Sequence, residues 1–145
     1  MAFVTLRADQ PRRIDRIIIH CSAVGPNQTS SARQIDEWHR AKGWKMIGYH
    51  YVIRRDGSIE FGRPADMIGA HTSGLNSYSL GICYEGGLNE FGKAADTRTP
   101  EQKTAMLALL KHLKKIYPHA TIHGHNEFAP KACPCVDVRT EYGGL

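Results

Sequence analysis

From His123 to Asp137 the chain reads HGHNEFAPKACPCVD, which gathers imidazole, thiol, amine and carboxylate groups into one short stretch. Pro130 and Pro134 each remove a backbone donor and bias the residue before them away from helix, so the stretch is a loop. Loops this dense in reactive groups are more often sites than packing elements. Neutral imidazole together with thiolate suits a soft divalent ion such as Zn²⁺ and suits Mg²⁺ poorly. His125 and Cys133 are eight positions apart, and Gly124 and the two prolines allow the loop to fold back so that both reach one ion. Lys131, close by, favours the thiolate form of Cys133. The spacing is not that of a structural zinc finger, so a third ligand must come from elsewhere in the chain. Without one, the plain alternative is an ordinary surface His and a buried thiol.

The elements that would position these groups follow from the hydrophobic pattern. RIIIHC, from Arg16 to Cys21, is a β-branched run of the kind shown by a strand buried on both faces. It holds His20 near its carboxyl end, where a side chain is rigidly presented; a His bonded at the sheet margin is the competing reading. Ser31, with Gln34 at the capping-box position, starts a helix carrying Ile35, Trp38 and His39, with Trp38 expected in the core. Gly48 to Arg54 is predicted as a strand with Tyr49, Tyr51 and Ile53 on one face and His50, Val52 and Arg54 on the other. Asp56-Gly57 turns it back into Ile59–Phe61 as a hairpin. Residues 62–78 form a long loop around His71 and Asn76, bordering a site.

Leu80 to Tyr84 is a further core strand, with Cys83 an inert buried thiol. The glycines after it lack both the phosphate-loop lysine and the dinucleotide-binding pattern, which excludes a nucleotide site there. Thr99, Pro100 and Gln102 open a strong helix whose apolar stripe runs Met106, Leu109, Leu110, Leu113, Ile116. Ala120 to His123 is the last strand and leads into the loop described first.

At 145 residues, 41% hydrophobic and 23% charged, the chain has the size and composition of one soluble globular domain. It has no apolar run of transmembrane length, and its start, MAFVTLRADQPRR, lacks the features of a signal peptide. Synthesis in the cytoplasm is expected, with residues 1–13 an arm and 14–145 the domain. The net charge of +5 favours polyanionic partners. The basic residues occur as scattered pairs, Arg12–Arg13 and Arg54–Arg55, with no basic tract, so a nucleic-acid partner is not expected; an anionic cell wall is attracted equally well. Four cysteines in a chain without an export signal argue against disulfides and leave a thiol for metal.

Taken together, IIIHCSA, the Trp38-His39 helix, GYHYVIRRDG, AHTSGLNSYSLGIC and GHNEFAPKACP resemble the type-2 zinc-dependent N-acetylmuramoyl-L-alanine amidases, a family that includes phage endolysins and the peptidoglycan recognition proteins. The likeness runs from Ile14 to Asp137. It implies an α/β fold with a central mixed β-sheet flanked by helices and a substrate groove over one side. It also implies Zn²⁺ on His20, His125 and Cys133, catalytic roles for Tyr49 and Lys131, and substrate contacts at His71 and Asn76. His50 and His123 have no metal role in the family and are expected to be structural or to support the ligands from behind.

The implied reaction is hydrolysis of the amide between N-acetylmuramic acid and L-alanine in bacterial peptidoglycan, with the metal acidifying the attacking water. Lys131 would face the oxyanion, and Tyr49 either orients the water or relays a proton to the departing amine. A monomer that is not inserted in the membrane, reaching the wall after membrane permeabilisation or by a dedicated exporter, is expected. A non-catalytic peptidoglycan-binding module is the alternative. One departure is Cys135, which makes Cys-Pro-Cys and stands as a possible competitor for the metal or as an oxidation partner of Cys133. No appended wall-binding domain is expected after Asp137.

Overall fold

The apolar runs form a sheet. In the computed structural model, which describes residues 12–145, five strands are ordered β3-β2-β4-β1-β5. They are β1 (Arg16–Cys21), β2 (Tyr51–Ile53), β3 (Ile59–Phe61), β4 (Ser79–Tyr84) and β5 (Thr121–Gly124). β1 pairs in parallel with β4 and β5, β2 in parallel with β4, and β3 antiparallel with β2, so the sheet is mixed. Three helices accompany it: α1 (Ala32–Ala41), α2 (Pro100–Ile116) and α3 (Val138–Tyr142).

Because strand side chains alternate between faces, the central strands divide their residues between two layers. Ile17 and Ile19 of β1, Tyr51 and Ile53 of β2, and Leu80, Ile82 and Tyr84 of β4 meet Met106, Leu109, Leu110 and Leu113 of α2 in the main core. On the opposite face Val52 and Cys83 pack with Ile35 of α1 and Ile47 in a smaller core. His20 is in register with Cys83 on the neighbouring strand and therefore shares this second face. The carboxyl ends of β1 and β4, the usual ligand position in such sheets, hold His20 and Cys83 side by side and are themselves buried.

Both long helices start as their sequences require. Ser31 and Thr99 each accept the amide of the residue three positions on, and Gln34 and Gln102 return the bond to the cap. Three expectations need correction. Trp38 is 37% exposed rather than core, because Ile35 and His39 take the inward stripe of α1. The expected Gly48–Arg54 strand shortens to Tyr51–Ile53. Upstream, the following loop captures the backbone, with Arg63 N–H donating to Tyr49 C=O at 2.9 Å and Ala70 N–H to Gly48 C=O at 3.0 Å. Helix α3 was not expected at all; Asp137 caps it, and buried Arg98 grips its Glu141 and Tyr142. The expected N-terminal arm lies outside the described residues apart from Arg12 and Arg13. Arg12 donates to the carbonyls of Ala65, Ser77 and Ser79 and so ties the chain start to the site-bordering loop.

One buried carboxylate joins the second face to the hairpin. Glu85, whose side chain is 3% exposed, accepts from Ser30 N–H at 2.6 Å, Arg55 N–H at 2.9 Å and Arg54 Nε at 3.0 Å. Burial alone would raise its pKa, but these donors outweigh burial and hold it below the ordinary carboxylate value. A depressed folded-state pKa contributes stability that is present above the unfolded value and is lost as pH falls through the folded one. Glu85→Ala should therefore cost about 1–3 kcal/mol at neutral pH, because it leaves the buried Ser30 amide and the half-buried Arg55 amide without their acceptor, while Arg54 keeps Glu60 at 3.3 Å. Glu85→Gln should flatten the acid limb of stability against pH. Urea unfolding between neutral and acid pH checks both; an unchanged acid limb in Glu85→Gln would show that other groups carry it.

Candidate metal centre and groove

Three segments far apart in sequence deliver the ligand candidates to one point. His20, buried, is the penultimate residue of β1; His125 begins the 3₁₀ turn His125–Glu127 directly after β5; Cys133 sits in the loop beyond it. One donor atom from each of these three residues lies within 4.8 Å of the others. The His20 and His125 rings stand 4.6 Å apart between centroids. Burial, then neighbouring His71, His125 and Lys131, hold His20 well below the ordinary imidazole pKa. Burial and Lys131 lower His125 in the same direction. Both imidazoles are thus neutral at physiological pH, the form that binds metal.

Cys133 Sγ accepts the Cys21 backbone N–H at 3.1 Å and lies 3.8 Å from the Cys21 carbonyl oxygen, which fixes the sulfur against the end of β1. Two neutral imidazoles and one cysteine sulfur fit Zn²⁺ with room for a fourth ligand. Cys135 does not join them. Its backbone is in the left-handed region at φ 66°, and its thiol donates to Gly87 C=O at 3.5 Å, on the far side of Cys21. Cys21, whose free thiol is hydrogen-bonded to Cys133 and buried, has its pKa pushed far up. Cys83 is buried and inert in the way its sequence context indicates.

An open groove of about 560 Å³ reaches this cluster at His125. One wall is the end of α1 and the turn after it, with His39, Lys42 and Trp44; another is the loop carrying His71, Thr72 and Asn76; the third carries Phe128 and Lys131. Tyr49 and His125 lie in its lining next to the metal candidates. The Tyr49 ring is 5.1 Å from the His20 ring, and burial raises its phenol well above the ordinary value. His39 was not singled out as a functional residue in the sequence, though its helical spacing from Ile35 marked the inward face. Its ring packs against Trp44 at 4.5 Å and Tyr49 at 5.7 Å while its Nδ1 accepts Gly48 N–H at 2.9 Å, which wedges Tyr49 in place.

Asn76 lines the groove and also does local work, since its Oδ1 accepts the amides of His71 at 3.0 Å and Thr72 at 2.9 Å. His71 turns inward, with Nδ1 2.9 Å from His20 Nε2. His50 is structural, as expected: Nδ1 accepts Gly81 N–H at 3.0 Å and Nε2 donates to Met67 C=O at 2.8 Å. His123 stands outside the ligand cluster and pairs with Glu127 at 2.8 Å.

Comparison with known proteins agrees with this geometry. The sequence profile of the family described as N-acetylmuramoyl-L-alanine amidase matches residues 10–136. The chain is 42% identical over 124 residues to the endolysin of Enterobacteria phage K11, covering 86% of this chain and 82% of that one. It is 41% identical over 130 residues to the endolysin of Escherichia phage T7, covering 90% and 86%. Among solved structures, the N-acetylmuramoyl-L-alanine amidase LysC from Clostridium intestinale superposes with a TM-score of 0.77 at 30% identity, over 97% of this chain and 89% of that one. Drosophila PGRP-LB superposes with a TM-score of 0.72 at 26% identity, over 86% and 76%.

Proposed function

Since the chain belongs to the N-acetylmuramoyl-L-alanine amidase family and is a peptidoglycan amidase, we propose that it cuts the amide between N-acetylmuramic acid and L-alanine as an endolysin, at the groove floor where His20, His125 and Cys133 converge. That convergence of three remote segments is the observation that carries the reading. His20, His125 and Cys133 would hold Zn²⁺, which would lower the pKa of the attacking water and act as a Lewis acid.

The protein's own groups do the rest. Lys131, on the groove wall beside the two imidazoles, sets a cation where negative charge gathers on the carbonyl oxygen. Tyr49 keeps its proton because burial of its phenol and the neighbouring Cys83, Cys133 and Cys21 raise its pKa well above the ordinary value, so it acts as a donor toward the reacting amide rather than as a base. The rings of Trp44 and Phe128, on separate walls, give apolar contact area along the groove, and Lys42 offers charge to the carboxylates of a stem peptide. Acting on the cell wall as a monomer, the protein reaches its substrate after membrane permeabilisation; among the described residues no helix is long and apolar enough to cross a membrane.

Digestion of purified peptidoglycan followed by mass spectrometry checks the bond. Free stem peptides beginning with L-alanine, alongside intact glycan strands, are expected. Shortened glycan chains or cut cross-links in their place would assign a glycosidase or an endopeptidase and end this reading. Binding of sacculi without product would favour a non-catalytic wall-binding module, which the joint presence of Cys133, Tyr49 and Lys131 opposes.

A further inference from the structure

His71 is placed to act on the metal ligand rather than on the substrate, and both of its ring nitrogens are engaged inside the protein. Nδ1 lies 2.9 Å from His20 Nε2 and 3.1 Å from Thr72 Oγ1, and Nε2 lies 3.2 Å from Ser79 Oγ. The two imidazoles meet edge to face, at 90° and 4.9 Å between centroids. Backbone design makes room for the ring. A Cβ on Gly81 would stand 2.6 Å from His71 Cγ, and one on Gly69 would stand 2.8 Å from His71 Cδ2, so both positions are bare where the ring passes. Asn76 Oδ1 pins the His71 and Thr72 amides from the other side.

Resting on the metal reading above, we infer that His71 is a positioning residue that fixes the tautomer and orientation of His20. A neutral imidazole that binds metal uses one nitrogen lone pair and carries its proton on the other nitrogen. His20 Nε2 is taken by His71, so His20 Nδ1 is left to bind the metal and Nε2–H donates to His71 Nδ1. The His71 proton then sits on Nε2 and passes its hydrogen bond to Ser79 Oγ. The opposite arrangement, with His71 Nδ1–H donating to His20 Nε2, puts a proton on His20 Nδ1 and blocks ligation. Ser79 and Gly81, both on β4, thus reach the metal ligand on β1 through a ring supplied by the loop. Orienting groups of this kind are typically worth about 10–100-fold in metal affinity.

Two substitutions separate positioning from substrate contact. His71→Phe keeps a ring for the slot and removes both nitrogens; His71→Asn returns an acceptor near the Nδ1 position. Zinc affinity is measured by chelator competition on the full-length protein, muropeptide affinity by calorimetry, and the ligand field by the visible spectrum of the Co²⁺-loaded form. His71→Phe should weaken zinc about 10–100-fold and change the Co²⁺ spectrum while muropeptide affinity stays within about twofold, and His71→Asn should recover most of the loss. If His71→Phe holds zinc as tightly as the wild type, or if it loses muropeptide affinity alone, the positioning role is wrong. Should His71→Phe not fold, a His71→Asn protein with wild-type zinc affinity and Co²⁺ spectrum supports the acceptor role, and one as weak as a metal-site mutant overturns it. A wild-type protein that binds no zinc stoichiometrically would instead bring down the metal reading, and this inference with it.

Discussion

Cys133→Ser should reduce wall lysis to background while leaving muropeptide binding measurable. Serine oxygen is a harder and weaker ligand for Zn²⁺ than thiolate sulfur, so the centre loses one of its three protein donors. Losing roughly 4 kcal/mol of charge stabilisation corresponds to about a 10³-fold fall in rate. The fold should survive, because a serine hydroxyl can still accept the Cys21 N–H that Cys133 Sγ accepts at 3.1 Å. The groove walls at Trp44, Asn76 and Phe128 are untouched, so substrate affinity should persist. Cys135→Ser is the matched control. Its thiol is turned to Gly87 and stands outside the ligand cluster, so lysis should stay within a few-fold of normal. Turbidity clearing of cell-wall suspensions together with metal content measures both, and a Cys133→Ser protein that clears walls at the normal rate rules out the ligand assignment.

Tyr49→Phe is expected to have the next largest effect, a fall in kcat of about 10²–10⁴-fold, the range for loss of a positioned proton donor. The substitution removes one oxygen and leaves the ring against His20 and His39, so zinc content and thermal stability should be nearly unchanged. Because the Tyr49 phenol titrates well above the ordinary range, activity should show no alkaline limb from this residue near neutral pH. Its role as a donor would fail if Tyr49→Phe kept full kcat, or if it lost activity only through lost zinc. Single-turnover kinetics on a defined muropeptide, with metal content measured on the same sample, separates these outcomes.

Much of the site could be read from residue types because its parts are chemically unusual. A His at the end of a β-branched run and a His–Cys loop broken by prolines are rare in ordinary packing, and the motif set around them is specific when taken in order. The helix starts were equally legible, since Ser31 with Gln34 and Thr99 with Gln102 satisfy their own backbone donors through local bonds. Trp38 was misplaced because helical spacing defines a stripe without saying which edge of it the sheet reaches. The Gly48–Arg54 strand was overlong because alternation continues past the point where a distant loop takes over the hydrogen bonds. Helix α3 escaped notice because it is held by Arg98, Glu141 and Tyr142, contacts between residues more than forty positions apart.

By itself the sequence determined the strands, the two capped helices and the inventory of groups able to bind a soft metal, since propensity, capping and ligand chemistry are properties of residues and their near neighbours. Tertiary structure alone decided that the Cys135 thiol turns to Gly87, that His71 lies against His20, and that Asn76 holds the loop between them. Those outcomes depend on parallel pairing of β1 with β4 and β5 and on space left by Gly69 and Gly81, and no local pattern encodes the distance between segments so far apart.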